Sequence, residues 1–322
     1  MTLVISAISI GIVFLYGCVG EIITEKAGHL NLGIPGIMCM GTAGGCYGVY
    51  FYMGSLSSVA NANAFLLLFV AILFAVIFAA LSGSIYAFLT VTLRANQNIT
   101  GLALTTFGAG FADFFINSVI EKTYFSQASK LFKNLFAPEF YEGMGWVGEL
   151  LFSHGFLVYF GIIIAVAAAL LLRKTKTGLN LRAIGENPAT ADAAGLNLNA
   201  YKYGAILIGS AIAGIGGLFY VMDYSVGSYA NASTIQAFGW LAIALVIFTL
   251  WRPDLSILGS FIFGFLYVLS TFIDGTTFTQ KRLLQMLPYV ITVVVLIITS
   301  VLGKKETQPP ASLGLNYFRE ER

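Results

Sequence analysis

Residues Arg173 to Lys202, RKTKTGLNLRAIGENPATADAAGLNLNAYK, form one polar stretch in a largely apolar chain. Apolar runs long enough to cross a bilayer flank it on both sides. Within it, Asn187-Pro188 has the chemistry of a helix start. The Asn side-chain oxygen accepts a bond from an orphaned backbone N–H, and Pro fits the first turn, where its missing N–H costs nothing. Gly195 suits the left-handed conformation that ends a helix. The helix between them has about seven residues and is roughly 10 Å long, too short to span anything. The stretch therefore reads as a loop between spans, carrying a short capped helix that faces a partner.

The chain has 322 residues, 58% hydrophobic and 10% charged, with a mean hydropathy of +0.85. Soluble domains carry about 25% charged residues, so this is a membrane protein. Strand-type alternation is absent, which favours an all-α polytopic helical bundle over a barrel. Cys18, Cys39 and Cys46 lie in or beside apolar runs and give no disulfide framework. His29 and His154 lack companions at metal-ligand spacing, so no metal site is expected. There is no nucleophile–base pair to suggest an enzyme. No G-x-x-x-x-G-K-[ST] occurs, so any ATP must be hydrolysed by another chain. The N-terminus carries no basic region before its apolar run, and reads as a retained span rather than a signal peptide.

About nine runs are long enough to cross: Leu3–Ile22, Ile34–Met53, Ala64–Leu89, Asn98–Val119, Gly155–Leu172, Tyr203–Met222, Ile235–Trp251, Leu255–Ile273 and Met286–Leu302. Lys and Arg collect on the cytoplasmic side of membranes. With the 173–202 loop inside, alternation leaves only Lys122, Lys130, Lys133, Lys281 and Arg282 of the 17 basic residues outside. Residues 1–302 then form the transmembrane domain. Residues 303–322, with Pro309-Pro310 and mixed charges, read as a flexible cytoplasmic tail.

Two polar breaks interrupt the spans. The first, EIITEKAGHLNLG from Glu21 to Gly33, precedes a glycine-rich run containing Pro35. One reading is a cytoplasmic hairpin followed by a tightly packed helix. The other is a discontinuous helix whose break lines a pathway, with Glu25 and Asn31 facing a solute. The second break, Arg94 to Asn98, precedes a helix in which Asn98, Thr105, Gly101 and Gly108 share a stripe and Phe107 offers an aromatic face. Helix–helix glue would account for the same Thr and Gly residues. Asp113 lies near the outer end of that span. Ser126–Ala137, with Leu131, Phe132, Leu135 and Phe136 on one side and Pro138 after it, reads as an interfacial amphipathic helix. Gln236 and Trp240 are further candidates for lining a pathway.

Three stretches carry a family resemblance: EIITEKAGHLNLGIPGIMCMG (21–41), RANQNITGLALTTFGAGF (94–111) and GLNLRAIGENPATADAAGLNLNAYKYGAILIGSAIAGIGGLFY (178–220). Together they resemble the permease subunits of ABC importers in the branched-chain amino acid, ribose and nucleoside group. TEKAGHLNLG and RANQNITGLAL look most like the subgroup serving purine nucleosides. The resemblance implies a multi-pass subunit of a bacterial cell membrane with a cytoplasmic C-terminus. It implies half of a nucleoside pathway, completed by a second and usually different permease. A separate ATPase would use ATP and Mg, this chain binding no cofactor, and an extracellular solute-binding protein would deliver cargo. Gly185, Glu186, Asn187, Pro188, Asp192 and Gly195 match the coupling region that would dock on the ATPase. Lys122, Lys130, Lys281 and Arg282 would meet acidic groups on the binding protein. An ABC permease for a simple sugar such as ribose is one alternative. An ion-driven secondary transporter of nucleosides or nucleobases is another, and would want a deep carboxylate such as Glu21, Glu25, Asp113 or Asp223.

Overall fold

Glycine and alanine decide how closely these helices meet. A computed structural model describes residues 2–135, 144–273, 275, 277–302 and 308–318. Among them every regular element is helical. In chain order these are α1 (Thr2–Lys26), α2 (Ile34–Gly54), α3 (Ala64–Ala87), α4 (Gln97–Val119), α5 (Lys122–Asn134), α6 (Gly145–Phe152) and α7 (Phe156–Lys174). Then follow α8 (Lys176–Glu186), α9 (Pro188–Ala193), α10 (Leu198–Phe219), α11 (Ala232–Phe248), α12 (Pro253–Phe272), α13 (Phe278–Gln285) and α14 (Leu287–Leu302). The π-helical turns Phe88–Thr92 and Tyr220–Tyr224 extend α3 and α10.

α1, α2 and α10 form the centre, with α3, α4, α11 and α12 around them. From Ile10 to Glu25, α1 is buried on every face, the mark of a helix enclosed by others. α3 buries only one stripe, which includes Ala71, Ala75, Ala79 and Tyr86. Its opposite face exposes Phe65, Phe69, Leu73, Ile77 and Leu81, a surface suited to lipid. Where α2 crosses α10, Gly41 meets Gly214 so closely that a Cβ on Gly41 would overlap the Gly214 backbone, and a Cβ on Gly214 would overlap Ala79 of α3. Small residues allow such backbone contact, and packing rather than the hydrophobic effect then holds the helices.

All nine expected runs are helical, but seven helical stretches among the described residues are long and apolar enough to cross. The other two are α2 and α11. α11 has only 17 residues, and α2 is diluted by glycine and tyrosine. Both are largely buried within the bundle and need little lipid-compatible surface.

The first break also differs from expectation. α1 does not stop at Glu21 but runs to Lys26, and the chain turns at Gly28 in the left-handed region (φ 86°). Loop 27–33 is then mostly buried. α2 starts at Ile34, beside Thr105 and Leu104 of α4. Thr105 lies eight residues into α4, about 12 Å from its start. The loop thus dips into the bundle before α2 begins.

The amphipathic helix between the fourth and fifth runs starts at Lys122 and buries Phe125, Ala128, Ser129 and Phe132, leaving Leu131 and Leu135 at its edge. Phe136, Ala137 and Pro138 lie outside the described residues. The C-terminal tail differs more. Residues 303–307 and 319–322 are outside the described residues, but 308–318 lie against the bundle. The Ser312 amide donates to the Gly185 carbonyl at 3.0 Å, and the Gly314 amide to the Gly28 carbonyl at 3.2 Å. Side-chain bonds from Asn316 and Tyr317 explain why this segment is laid down rather than free.

Candidate functional site

Non-helical backbone inside a membrane bundle must find its partners in the protein. Loop 27–33 finds them in α1, α3 and α4. Glu21 Oε1 accepts the Asn31 amide at 2.9 Å, and Asn31 Oδ1 accepts the Gly33 amide at 3.0 Å. Gln97 Oε1 accepts the Leu30 amide at 2.8 Å, while the Tyr86 hydroxyl donates to the Leu30 carbonyl at 2.7 Å. Thr105 Oγ1 donates to the Leu32 carbonyl at 2.8 Å. Gln236 Nε2 in turn donates to the Thr105 carbonyl at 3.1 Å, tying α11 to the same spot. At the base of the loop, the Trp251 indole N–H donates to Glu25 Oε2.

This geometry sorts the expected pathway residues into two groups. Glu25, Asn31 and Thr105 are 2%, 0% and 5% exposed. They build the loop and its seat. Asn98 and Phe107 lie on the exposed face of α4, together with Leu102, Thr106 and Phe114. Gln236 and Trp240 on α11 are half-buried. From Asn98 to Ala112 that α4 segment carries no charge, so its open face offers an amide, a hydroxyl and aromatic rings. Tyr86, Gln97 and Trp251 were not legible as partners of the loop. Each is remote in sequence, and no spacing rule connects them to it.

His29 sits in the same loop, 1% exposed, and among the described residues neither ring nitrogen has a hydrogen-bond partner. Burial, with the Lys202 ammonium adding to it, pushes its pKa down to about 3. The imidazole is therefore neutral at any physiological pH.

At the other end of the bundle, Asp113 accepts the Tyr229 hydroxyl at 2.6 Å and the Ala232 amide at 2.7 Å. It thereby fixes the loop that leads into α11. Lys122 and Lys130 are exposed on α5. On α13, Lys281 is half-buried and Arg282 lies over the Phe278 ring, 5.1 Å from its centroid.

The 173–202 stretch contains more structure than its sequence suggested. α8 fills the first part, capped by Thr175, whose side chain accepts the Gly178 amide at 3.0 Å. Asn187 Oδ1 accepts the Thr190 amide at 3.0 Å to open α9, and Gly195 follows α9 at φ 81°. Arg173 binds both oxygens of Asp254 at 3.0 Å, joining the start of this stretch to α12. Glu186, Asn187 and Gly195 are exposed, and Pro188 is half-buried. Gly185 and Asp192 face inward: Gly185 packs on the Lys26 carbonyl, and Asp192 accepts the Tyr317 hydroxyl at 3.0 Å. Among the described residues no group of three or more His, Cys, Asp or Glu side chains could hold a metal.

Residues 3–299 match the family model for the permease component of the branched-chain amino acid transport system. The nucleoside ABC transporter permease protein NupC of Lactococcus lactis is 30% identical over 95% of this chain and 93% of its own length. TsgC13 of Haloferax volcanii, an ABC transporter permease protein provisionally named for glucose, is 30% identical over 79% of this chain and 72% of its own. The guanosine ABC transporter permease protein NupQ of Bacillus subtilis is 26% identical over 94% of this chain and 92% of its own. No solved structure matches. The chain belongs to this permease family, and is a multi-pass transport component rather than an enzyme.

Proposed function

We propose that this permease forms one half of the translocation path of an ATP-driven nucleoside importer. The solute class rests on one observation: the open face of α4 is uncharged but carries Asn98, Thr106 and Phe107. An amide, a hydroxyl and an aromatic ring suit a neutral polar solute with a flat base. The likeness to NupC and NupQ over nearly the whole chain supports the same class. In this reading α1, α2, α3, α4, α7, α10, α11, α12 and α14 all cross, placing the N-terminus outside and the tail inside. Loop 27–33, α8, α9 and residues 308–318 contact one another, as they should if they share the cytoplasmic face.

The partners follow from that arrangement. A second permease covers the exposed faces of α4 and α11 and completes the path. A separate ATPase, using ATP and Mg, receives the exposed side of α9, where Glu186, Asn187 and Gly195 are available. A solute-binding protein docks outside, near Lys122, Lys130, Lys281 and Arg282. Movement of α9 passes to the adjoining end of α8 and reaches the path through backbone contact, because Gly185 of α8 packs against Lys26 and Gly28. Loop 27–33 then bears on Thr105 through Leu32, and so on α4. The permease is thus a two-state element biased by a nucleotide that it does not bind itself. Glu25, Asn31 and Thr105 act in it by positioning the loop, while Asn98, Phe107, Gln236 and Trp240 face the solute.

The test is uptake into proteoliposomes holding both permeases and the ATPase, with binding protein supplied on the side opposite the ATPase. Labelled nucleosides, nucleobases, ribose and glucose form the panel. ATP-dependent accumulation of nucleosides is expected. Accumulation of glucose or ribose alone, or uptake driven by an ion gradient without ATP, would sink the reading.

A further inference from the structure

A cavity lies away from the α4 face. It has a volume of about 530 Å³ and opens between loop 27–33, the end of α3, the start of α10 and the tail. His29, Arg94, Asn199, Lys202, Asn316 and Tyr317 are among its lining residues. That volume falls within the range of small-molecule sites, about 300–1,000 Å³.

We propose that this cavity is a binding site for a phosphate-bearing small molecule of mononucleotide size. Two cationic side chains line it, Arg94 and Lys202. Lys202 is 8% exposed and makes no ion pair among the described residues. The lining carboxylate, Asp192, receives the Tyr317 hydroxyl. A buried ammonium without a counter-ion is costly, and so is a buried imidazole without a partner. His29 has both nitrogens unpartnered and is almost wholly buried beside this cavity. A phosphate group answers both needs. Its charge offsets Lys202, and its oxygens accept the imidazole N–H. Asn199 and Asn316 add neutral donors and acceptors for the remainder of the molecule. Tyr317 lines the cavity as well.

The ligand would also have a mechanical effect. Asn316 and Tyr317 belong to the tail, and Asn316 already donates to the Arg94 carbonyl at 2.7 Å. A phosphate held between them and Lys202 would brace the tail and the residues after α9 against loop 27–33. The cytoplasmic placement of the cavity rests on the orientation proposed above. Nucleoside monophosphates and free phosphate both occur on that side, and the shared chemistry is the phosphate.

The test uses the assembled complex in nanodiscs, with AMP, GMP, inorganic phosphate and adenosine as probes. Thermal shift and titration calorimetry are read for the wild type, Lys202→Gln and Asn316→Asp. Saturable binding of AMP or GMP is expected, at least tenfold weaker in either variant and absent from adenosine at this site. Asn316 is half-buried in the tail, so its variant keeps the test alive if Lys202→Gln fails to assemble. Tighter binding of inorganic phosphate than of AMP or GMP would overturn the mononucleotide size. No binding of any phosphate probe, or binding unchanged in the assembled variants, would overturn the site. Nucleoside uptake by the Asn316→Asp complex separates the two proposals: failure of the phosphate site leaves uptake intact.

Discussion

Gly185 rests directly on the turn at Gly28: a Cβ added to Gly28 would stand 3.5 Å from the Gly185 Cα. Both carbonyls are taken by the same tail, through Ser312 and Gly314. The connection between the end of α8, which leads into the partner-facing α9, and the buried loop is therefore backbone against backbone, with the small Ser312 side chain beside it. Packed contacts of this kind shift between discrete arrangements rather than deforming smoothly.

Substituting Gly185→Val should break that seat, because a Cβ there would overlap the Lys26 carbonyl. Overpacking of a tight contact costs about 1–3 kcal/mol. The expected result is a lower melting temperature in detergent and loss of the tail contact, read as new proteolytic cleavage after residue 308. A variant as stable and protease-resistant as the wild type would show that the contact carries little.

Glu186→Arg changes the exposed end of α8 at the entry to α9 without touching the core. Insertion, yield and melting temperature should stay within error. ATP hydrolysis by the assembled complex should lose its stimulation by solute and binding protein, and uptake should fall by tenfold or more. Normal uptake would remove this residue from the partner contact.

Asn98→Ala and Phe107→Ala should spare folding, since both side chains are exposed on α4. Removing a solute hydrogen bond or a stacking face costs about 1–3 kcal/mol. KM for nucleosides should rise by roughly fivefold to a hundredfold. Thr105→Val should behave differently: it removes the bond to the Leu32 carbonyl and should lower stability by about 1 kcal/mol. If all three changed only stability, α4 would be scaffolding.

His29 gives the fold a pH dependence of known sign. Its pKa is about 3 when folded, against 6.5 for the free side chain. Between those values the unfolded chain binds the extra proton, so stability falls as pH falls below 6.5. From pH 6.5 to 5 the loss is about 2 kcal/mol, at about 1.4 kcal/mol per unit. Melting curves across pH 5–8 should slope accordingly, and His29→Gln should flatten the slope. An equal slope in the variant would assign the dependence to other groups.

Much of the architecture was legible because it rests on local chemistry. Asn187, Pro188 and Gly195 bracket α9 as their capping preferences require, and each apolar run is a helix. What escaped was long-range. Glu25 reads as a pathway residue because a carboxylate near a membrane break defaults to function, whereas its partner, Trp251, is 226 residues away. Tyr317 and Asp192 are 125 residues apart, so a tail that looks polar and proline-interrupted gives no sign of docking. α2 shows the reverse case. Its glycines weaken it as a membrane span by hydropathy, yet those glycines let it sit at the centre. The open face of α4 was visible only as a mixture of polar and aromatic residues, with no indication of which would be left uncovered.

The buried loop also sets an order of assembly. As the chain emerges, α1 and α2 enter first, but the partners of the Leu30 and Leu32 carbonyls between them are not yet made. Tyr86 and Thr105 arrive 56 and 73 residues after the carbonyls that they serve. Trp251 reaches Glu25 only when three-quarters of the protein exists. The first hairpin is thus completed by the last third of the chain. Until then it must be sheltered by water, by a chaperone or by the walls of the insertion machinery. Biogenesis, as much as transport, fixes which residues can stand at positions 86, 105 and 251.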